Sequence, residues 1–365
     1  MQKVTRVFEM LAIRPLTRED KTEWAEFASN SQHATIFHTW EWEEVLRLGC
    51  PQETPLYWGI WIDDELVAIW PSSVVFAFGG KILRSLPHSN TGEPIIKQSH
   101  DLVLRALTEH VVLITRRDAL LRWSAAIPAD SPIVHRLASD CDFRAKASEQ
   151  CTFTLHTGTN VELLWKNLAK NKKHAVKKST DYGVEVRESD DPQELTSYFG
   201  IYKATMLRHN RQGLTHNFFD LLHRFLIREG KAKLFLATDR DEIIAGIIVL
   251  LYGEKAYWWS GASLENSWKV YPNDLLLWRA IEWASKSGIR SIDLGPTPSD
   301  PASGLNIFKR HFGACRVDFV ELALPINPLR NCVITTLVNS YRGLVKYGLV
   351  PAMVTEWLQE RFWFD

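Results

Sequence analysis

The stretch KLFLATDRDEIIAGIIVLLYG, residues 233–253, decides the reading of this chain. Two β-rich runs flank an acidic turn, which is a hairpin signal. LYWGIWIDDELVAIWPSSVV, residues 56–75, has the same form. Asp64-Glu65-Leu66-Val67-Ala68 aligns with Asp241-Glu242-Ile243-Ile244-Ala245 at an offset of 177 residues. A second echo follows in the same order: DLVLRALTEH begins at Asp101 and DLLLWRAIEW at Asp274, offset by 173. Both read as helices, with Asp at the N-cap and apolar residues three to four apart, such as Leu277, Ala280, Ile281 and Ala284. Each precedes a candidate strand, at residues 120–127 and 288–295. Two echoes in one order, near half the chain length apart, indicate a duplicated module.

Working outward, residues 192–208 and 217–229 read as helices before the second hairpin, and residues 255–264 as a third strand after it. The first half offers helices near 23–27 and 41–48. A hairpin followed by one strand–helix–strand crossover gives a mixed sheet with helices on both faces. The expected class is α/β with mixed, α+β-type sheets. Two tandem modules, 1–158 and 159–324, each have a twisted mixed sheet flanked by helices. Residues 325–365 form a helical extension, two amphipathic helices split near Pro351. Residues 161–180 read as one basic helix carrying Lys166, Lys170, Lys172, Lys173, Lys177 and Lys178. Gly183 ends it before a short strand at 184–187.

Composition narrows the function. Lys plus Arg equals Asp plus Glu at 43 each among 365 residues, so no global field favours DNA or an anionic membrane. Fifteen tryptophans point to core and inter-module packing, or to stacking on a ligand. Cys50, Cys141, Cys151, Cys315 and Cys332 form no CxxC pair and read as free, mostly buried thiols of a reducing compartment. The charged start MQKVTRVFEM lacks the apolar block of a signal peptide. The longest uncharged runs are about half the roughly 20 residues of a spanning helix. The expectation is a soluble, cytoplasmic protein. No metal is expected, because the spacing of His209 and His216 is not a ligand pattern. With no GxSxG element, no covalent enzyme intermediate is expected.

Four stretches then carry a resemblance: FHTWEWEEVLRLG (37–49), LWKNLAKNKKHAVKKSTDYGVEVRES (164–189), YPNDLLLWRAIEWASKSGIRSIDLG (271–295) and GLNIFKRHFGA (304–314). In this order, across nearly the whole chain, they resemble the FemABX family and its FemAB-like acyltransferase relatives. That family is a tandem repeat of the acetyltransferase (GNAT) fold with a lysine-rich helix before the second copy. The resemblance implies transfer of an acyl or aminoacyl group to an amine, in cell-envelope or peptidoglycan-type metabolism. The donor it implies is aminoacyl-tRNA; an acyl-CoA or acyl-carrier-protein thioester is the alternative, and no tightly bound cofactor is expected. A binding protein that kept the fold without turnover is a third reading. The acceptor is a small-molecule or peptide amine. No oligomeric state follows from the sequence.

Aminolysis needs a neutral amine, a polarised carbonyl and a fixed attack geometry. Lys309 matches the family lysine near the reacting groups, against the alternative of a solvated surface lysine. Phe308 beside it is an active-site aromatic or core. Asp293 ends a candidate strand before Gly295, Pro296 and Pro298, and is either an amine-orienting base or a turn cap. Tyr271 and Asn273 lie where GNAT enzymes hold the CoA pyrophosphate. There is no glycine in that loop, and Asp274 puts a negative charge there, so ordinary CoA binding is disfavoured. Asn273 in a left-handed conformation would still permit it. Lys172, Lys173 and Lys177 are candidate tRNA-phosphate contacts or a solvated face. Arg208 and Arg211 are candidates for a substrate phosphate or carboxylate, and His88, Asn90 and Glu93 for acceptor contacts, each with an ordinary loop as the alternative. The tail helices cover the second module, mediate dimerisation or form a peripheral membrane contact.

Overall fold

A computed structural model describes residues 11–77, 80–89, 91–97, 101–139, 143–209, 211, 213–325, 328–346 and 349–350. Asn90, Cys141 and the second tail helix lie outside them.

The first half runs β1 (Leu11–Pro15), α1 (Lys21–Ser29), α2 (Trp40–Gly49), β2 (Glu53–Ile62), β3 (Glu65–Ala77), β4 (Gly80–Ser85) and the two-residue β5 (Ile95–Ile96). It continues through α3 (Asp101–Arg117), β6 (Arg122–Pro128), α4 (Pro132–Ala138) and β7 (Arg144–His156). The second half runs α5 (Val161–Asn167), α6 (Lys170–Asp181), β8 (Glu185–Ser189), α7 (Pro192–Arg208), α8 (His216–Leu222), β9 (Ala232–Asp239), β10 (Glu242–Tyr252) and β11 (Lys255–Ser263). Then come α9 (Pro272–Lys286), β12 (Ser291–Asp293), the short β13 (Thr297–Pro298), α10 (Gly304–His311), β14 (Cys315–Pro325) and α11 (Pro328–Lys346).

The duplicated hairpins are alike in detail. Asp63 and Asp64 have φ of 48° and 65°; Arg240 and Asp241 have 51° and 67°. Positive φ at both central residues is the primed turn whose twist matches two antiparallel strands. The pairings Ile62↔Glu65 and Asp239↔Glu242 close both turns. In each copy a bulge follows at the same place, leaving Val67 and Ile244 as the extra residues.

All the described strands join one sheet in the order β1-β2-β3-β4-β6-β14-β7-β12-β11-β10-β9-β8, with β5 on β3 and β13 on β7. The order is palindromic about the antiparallel β14–β7 pair. Each half contributes one parallel pair, β4–β6 and β11–β12. The two halves also exchange a strand. β7 is the next strand after β6 in sequence but bonds β12, and β14 bonds β6. The expectation of one sheet per module therefore becomes one continuous sheet.

Strand alternation sets the three larger hydrophobic clusters among the described residues. In β10, Ile248 and Leu250 face one layer, Ile247 and Val249 the other. The first layer is common to both halves: Trp24, Phe37 and Trp42 pack in one cluster with Tyr198, Phe218 and Phe219. The opposite face is covered by α3 and α4 in the first half, and by α5, α6, α9 and Phe312 in the second. Of the tryptophans, Trp24, Trp42 and Trp123 are among the largest fully buried side chains, so core packing accounts for them.

Two expectations are corrected. The basic helix is two helices, parted at Leu168 and Ala169, whose ψ values of 141° and 149° are extended. Leu168 is buried, and the Ala169 N–H donates to His311 O at 2.9 Å, so a tertiary contact breaks the helix. The thiols are not mostly buried: of the four described, Cys50 and Cys151 are buried while Cys315 and Cys332 are exposed. None of the four is in a disulfide. No described helix is long and apolar enough to cross a membrane.

Candidate active site

The parallel strands β11 and β12 pair only across Lys255–Tyr257 and Ser291–Asp293. Beyond these residues β11 continues to Ser263, while the other chain turns away through Gly295 and Pro296. The strands part at their carboxyl ends, where ligands of α/β sheets lie. The opposite edge of β11 carries a bulge: Ile248 pairs Ser260 and Val249 pairs Trp258, leaving Trp259 extra. Trp259 is thereby turned to the first half. It stacks on Phe218 at 5.6 Å, meets Trp42 edge-on at 5.7 Å and donates its indole N–H to His88 O at 3.0 Å.

The second lip of the opening is the turn after β12. The Asp293 carboxylate accepts from Thr152 Oγ1 and from the Gly295 N–H at 2.8 Å. Gly295 has φ of +79°, and a Cβ there would lie 2.9 Å from Trp258 O, so the vertex admits only glycine. Behind the turn lies Lys309, only 2% exposed. Its ammonium donates to Gly295 O at 2.6 Å and to Pro296 O at 3.3 Å. It is not a solvated surface lysine. Burial pulls its pKa down to about 8, against the opposing pull of Asp293 and Cys151. The fold thus brings Lys309 and Asp293 onto one turn.

Phe308 is half-buried, packed on Phe312 at 5.1 Å and on Trp258 at 6.3 Å. The Trp258 indole donates back to Ser260 O at 3.0 Å and lies over the backbone of Gly261. Trp258 and Phe308 thus meet edge to face.

At the start of α9 the structure departs from expectation. Asp274 is not the N-cap: Tyr271 holds that position, with φ 55° and ψ 43°. Tyr271, not Asn273, takes the left-handed conformation. Asp274 lies in the first turn, where its charge meets the positive end of the helix dipole. It receives Lys172 Nζ at 2.8 Å, and the two side chains are 12% and 13% exposed. Burial raises the Asp274 pKa and Lys172 opposes the rise. Lys172 also sits 4.0 Å from the Phe308 ring centroid. Asn273 instead donates to Ser263 Oγ at 3.0 Å, which also accepts from the Trp268 indole at 2.9 Å. Arg208, from the end of α7, stacks its guanidinium 4.9 Å over Trp268. Its Nε is buried and has no hydrogen-bond partner among the described residues. Arg208, Asn273 and Tyr271 therefore gather at the far end of β11. Arg211 is exposed.

The remaining candidates are dispersed. Lys173 donates to Lys166 O at 2.8 Å and caps α5, while Lys177 is exposed. His88 pairs with Glu53 at 2.6 Å, and Glu93 accepts from Ser131 through its carboxylate and from His38 Nε2 at 2.8 Å through its carbonyl. In the first half the loop before Glu93 closes on β6 through Gly92 N–H to Ala126 O, 2.7 Å. Thr152, Trp258 and Ser263 went unnoticed in the sequence, since their places depend on pairing between distant strands.

Residues 166–310 match the acetyltransferase (GNAT) domain family. No curated protein sequence matches the chain. Among solved structures, FemX superposes with a TM-score of 0.69 at 15% identity, over 88% of this chain and 100% of that one. L-PGS from Bacillus licheniformis gives 0.59 at 13%, over 89% and 98%. A tandem GNAT protein from the clavulanic acid biosynthesis pathway gives 0.58 at 11%, over 87% and 99%. Residues 166–310 are thus similar to acetyltransferase (GNAT) domains, and the chain as a whole has the fold of FemX, which fits the FemAB-like proteins its sequence resembles.

Proposed function

We propose that the protein is an acyltransferase that moves an activated acyl or aminoacyl group to an amine by direct aminolysis in the opening between β11 and β12. The observation that carries this reading is the parting of those strands over a turn that holds Asp293, itself fixed by the buried Lys309. The donor carbonyl enters the opening, where β11 backbone groups released from β12 are available to polarise its oxygen. The amine attacks the carbonyl carbon; a C–N bond forms and the C–O or C–S bond to the donor breaks. Asp293 accepts the amine proton, which then passes to the leaving oxygen or sulfur. Lys309 spends its hydrogen bonds on the turn, and so acts as a positioning residue.

Two readings of the donor follow. Aminoacyl-tRNA is favoured because the start of α9, where a CoA pyrophosphate would rest, already holds the Asp274 carboxylate and Lys172. Lys177 and Lys173 would then meet phosphates, and Arg208 the acceptor. Acyl-CoA is the second reading, supported by the match to the acetyltransferase family. The acceptor would be a small-molecule or peptide amine, in cell-envelope metabolism as the resemblance to the FemABX family implies. The test is transfer from radiolabelled aminoacyl-tRNA and, in parallel, thiol release from acetyl-CoA, each with peptide amines as acceptors. Asp293→Asn should lower kcat by about 10²–10⁴ with KM little changed. Full turnover by that variant would overturn the assignment of the site.

A further inference from the structure

Away from the β11–β12 opening, the fold gathers a second group of chemically capable side chains. We propose that Cys50, Glu53 and His88 bind a divalent metal ion of the zinc class at the seam between the two halves.

Three segments build the site. Cys50 follows the last turn of α2, and a tight turn brings Glu53 back, its N–H donating to Cys50 O at 3.0 Å. His88 arrives from the loop after β4 with a φ of +61°, a conformation few non-glycine residues adopt. The donor atoms all lie within 4.8 Å of one another. His88 Nε2 is 2.6 Å from Glu53 Oε1 and 3.9 Å from Cys50 Sγ.

Cys50 is 3% exposed and Glu53 6%. The second carboxylate oxygen, Glu53 Oε2, is buried with no hydrogen-bond partner among the described residues. Two lone-pair-bearing oxygens, a thiol and an imidazole therefore converge without any Lys or Arg among the three. An orphaned carboxylate oxygen in such a place is what a cation would satisfy.

The donor set suits a borderline-soft ion. Thiolate, imidazole and carboxylate together are zinc ligands, and three protein ligands leave a fourth position open. A tetrahedral ion would set the donors roughly 3.3–3.6 Å apart. The His88–Glu53 pair would open by about 0.7 Å and the His88–Cys50 pair would close by about 0.4 Å, within reach of side-chain rotation. On binding, the Cys50 thiol releases its proton to solvent, and thiolate plus carboxylate neutralise the two positive charges. Because a proton is displaced, binding should weaken as pH falls.

The site lies at a joint. The His88 carbonyl accepts the Trp259 indole N–H, and the His88 ring lies 6.3 Å from Phe218. An ion that fixes His88 thus also fixes the contact between the first half and the bulge of β11.

The test uses untagged full-length protein, loaded with Zn²⁺ and dialysed exhaustively against metal-free buffer. Metal content is then read by mass spectrometry. Near one equivalent per chain is expected, falling to below about a tenth in Cys50→Ser, with Cys332→Ser retaining full loading. Loading with Co²⁺ should give a thiolate-to-metal charge-transfer band in wild type. That spectrum decides the matter even if Cys50→Ser fails to fold. Less than a tenth of an equivalent in wild type, equal retention by Cys50→Ser, or a Co²⁺ spectrum without the thiolate band would overturn the site.

Discussion

The ion pair between Lys172 and Asp274 offers a test in which the structure and the sequence pull apart. Read along the chain, Lys172 belongs to a basic face. In the fold its ammonium lies 2.8 Å from Asp274 and only 13% of its side chain is exposed. Removing one partner leaves a nearly buried charge uncompensated, which costs about 3–5 kcal/mol. Lys172 keeps some help from the Phe308 ring at 4.0 Å, worth about 0.5–2 kcal/mol. Asp274→Leu should therefore cost about 3 kcal/mol, the lower end of that range. Lys172→Met leaves the carboxylate without that aid and should cost somewhat more. The double variant Lys172→Met/Asp274→Leu exchanges the pair for apolar side chains of similar size and should cost about 1 kcal/mol or less. A coupling energy of about 5 kcal/mol follows, readable from urea unfolding of the four proteins. The same double variant separates structure from tRNA contact. A lysine that meets a phosphate contributes about 0.7–0.9 to the slope of log K against log salt concentration. Loss of Lys172 should leave that slope unchanged. A coupling below about 0.5 kcal/mol, or a slope reduced by nearly one unit, would refute the argument.

Lys309 makes stability depend on pH in an uncommon direction. Its folded pKa of about 8 lies below the unfolded value of 10.5, so between these pH values the unfolded chain binds the extra proton and stability rises with pH. The increment reaches about 3 kcal/mol by pH 10.5, and Lys309→Met should lack it when urea midpoints are compared at pH 7.5 and 10. Gly295→Ala meets both a φ of +79° and a carbonyl 2.9 Å from the new Cβ, whereas Gly183→Ala meets a φ of +82° in open space. The second should cost about 1 kcal/mol and the first clearly more, and equal losses in denaturant unfolding would contradict the tight vertex. Trp259→Ala removes the ring that Trp42 and Phe218 enclose and should cost about 3 kcal/mol, measured the same way.

The parts legible in the sequence are those whose cause is local. Both hairpins could be read because turn residues and alternation lie within twenty positions, and the two turns proved to share even their left-handed pairs. The helix at 192–208 was equally plain, with Asp191 capping through its carboxylate to Gln193 N–H at 2.8 Å. The break at Leu168 was hidden because its cause, the carbonyl of His311, is remote in sequence. Asp at a helix start usually caps it, so the sequence points to a cap at Asp274; a lysine a hundred positions away claims its carboxylate instead. Lys309 and Asp293 were named by resemblance and by turn chemistry. Neither signal contains the burial of the lysine or its two carbonyl partners. The strand exchange could not be foreseen, since β6 bonds equally well to any strand of suitable pattern.

The exchanged strands also bear on how the molecule is made. On a ribosome, β6 is complete at Pro128, yet its antiparallel partner β14 starts at Cys315. At roughly 5–20 residues per second the nascent chain must guard an open edge for on the order of ten to forty seconds. Neither half can be cut free as a finished unit, because each lends the other its last ribbon. An expression fragment ending near residue 158 would leave one edge of β6 and both edges of β7 unpaired, and should be lost to aggregates unless the remaining half is supplied alongside it.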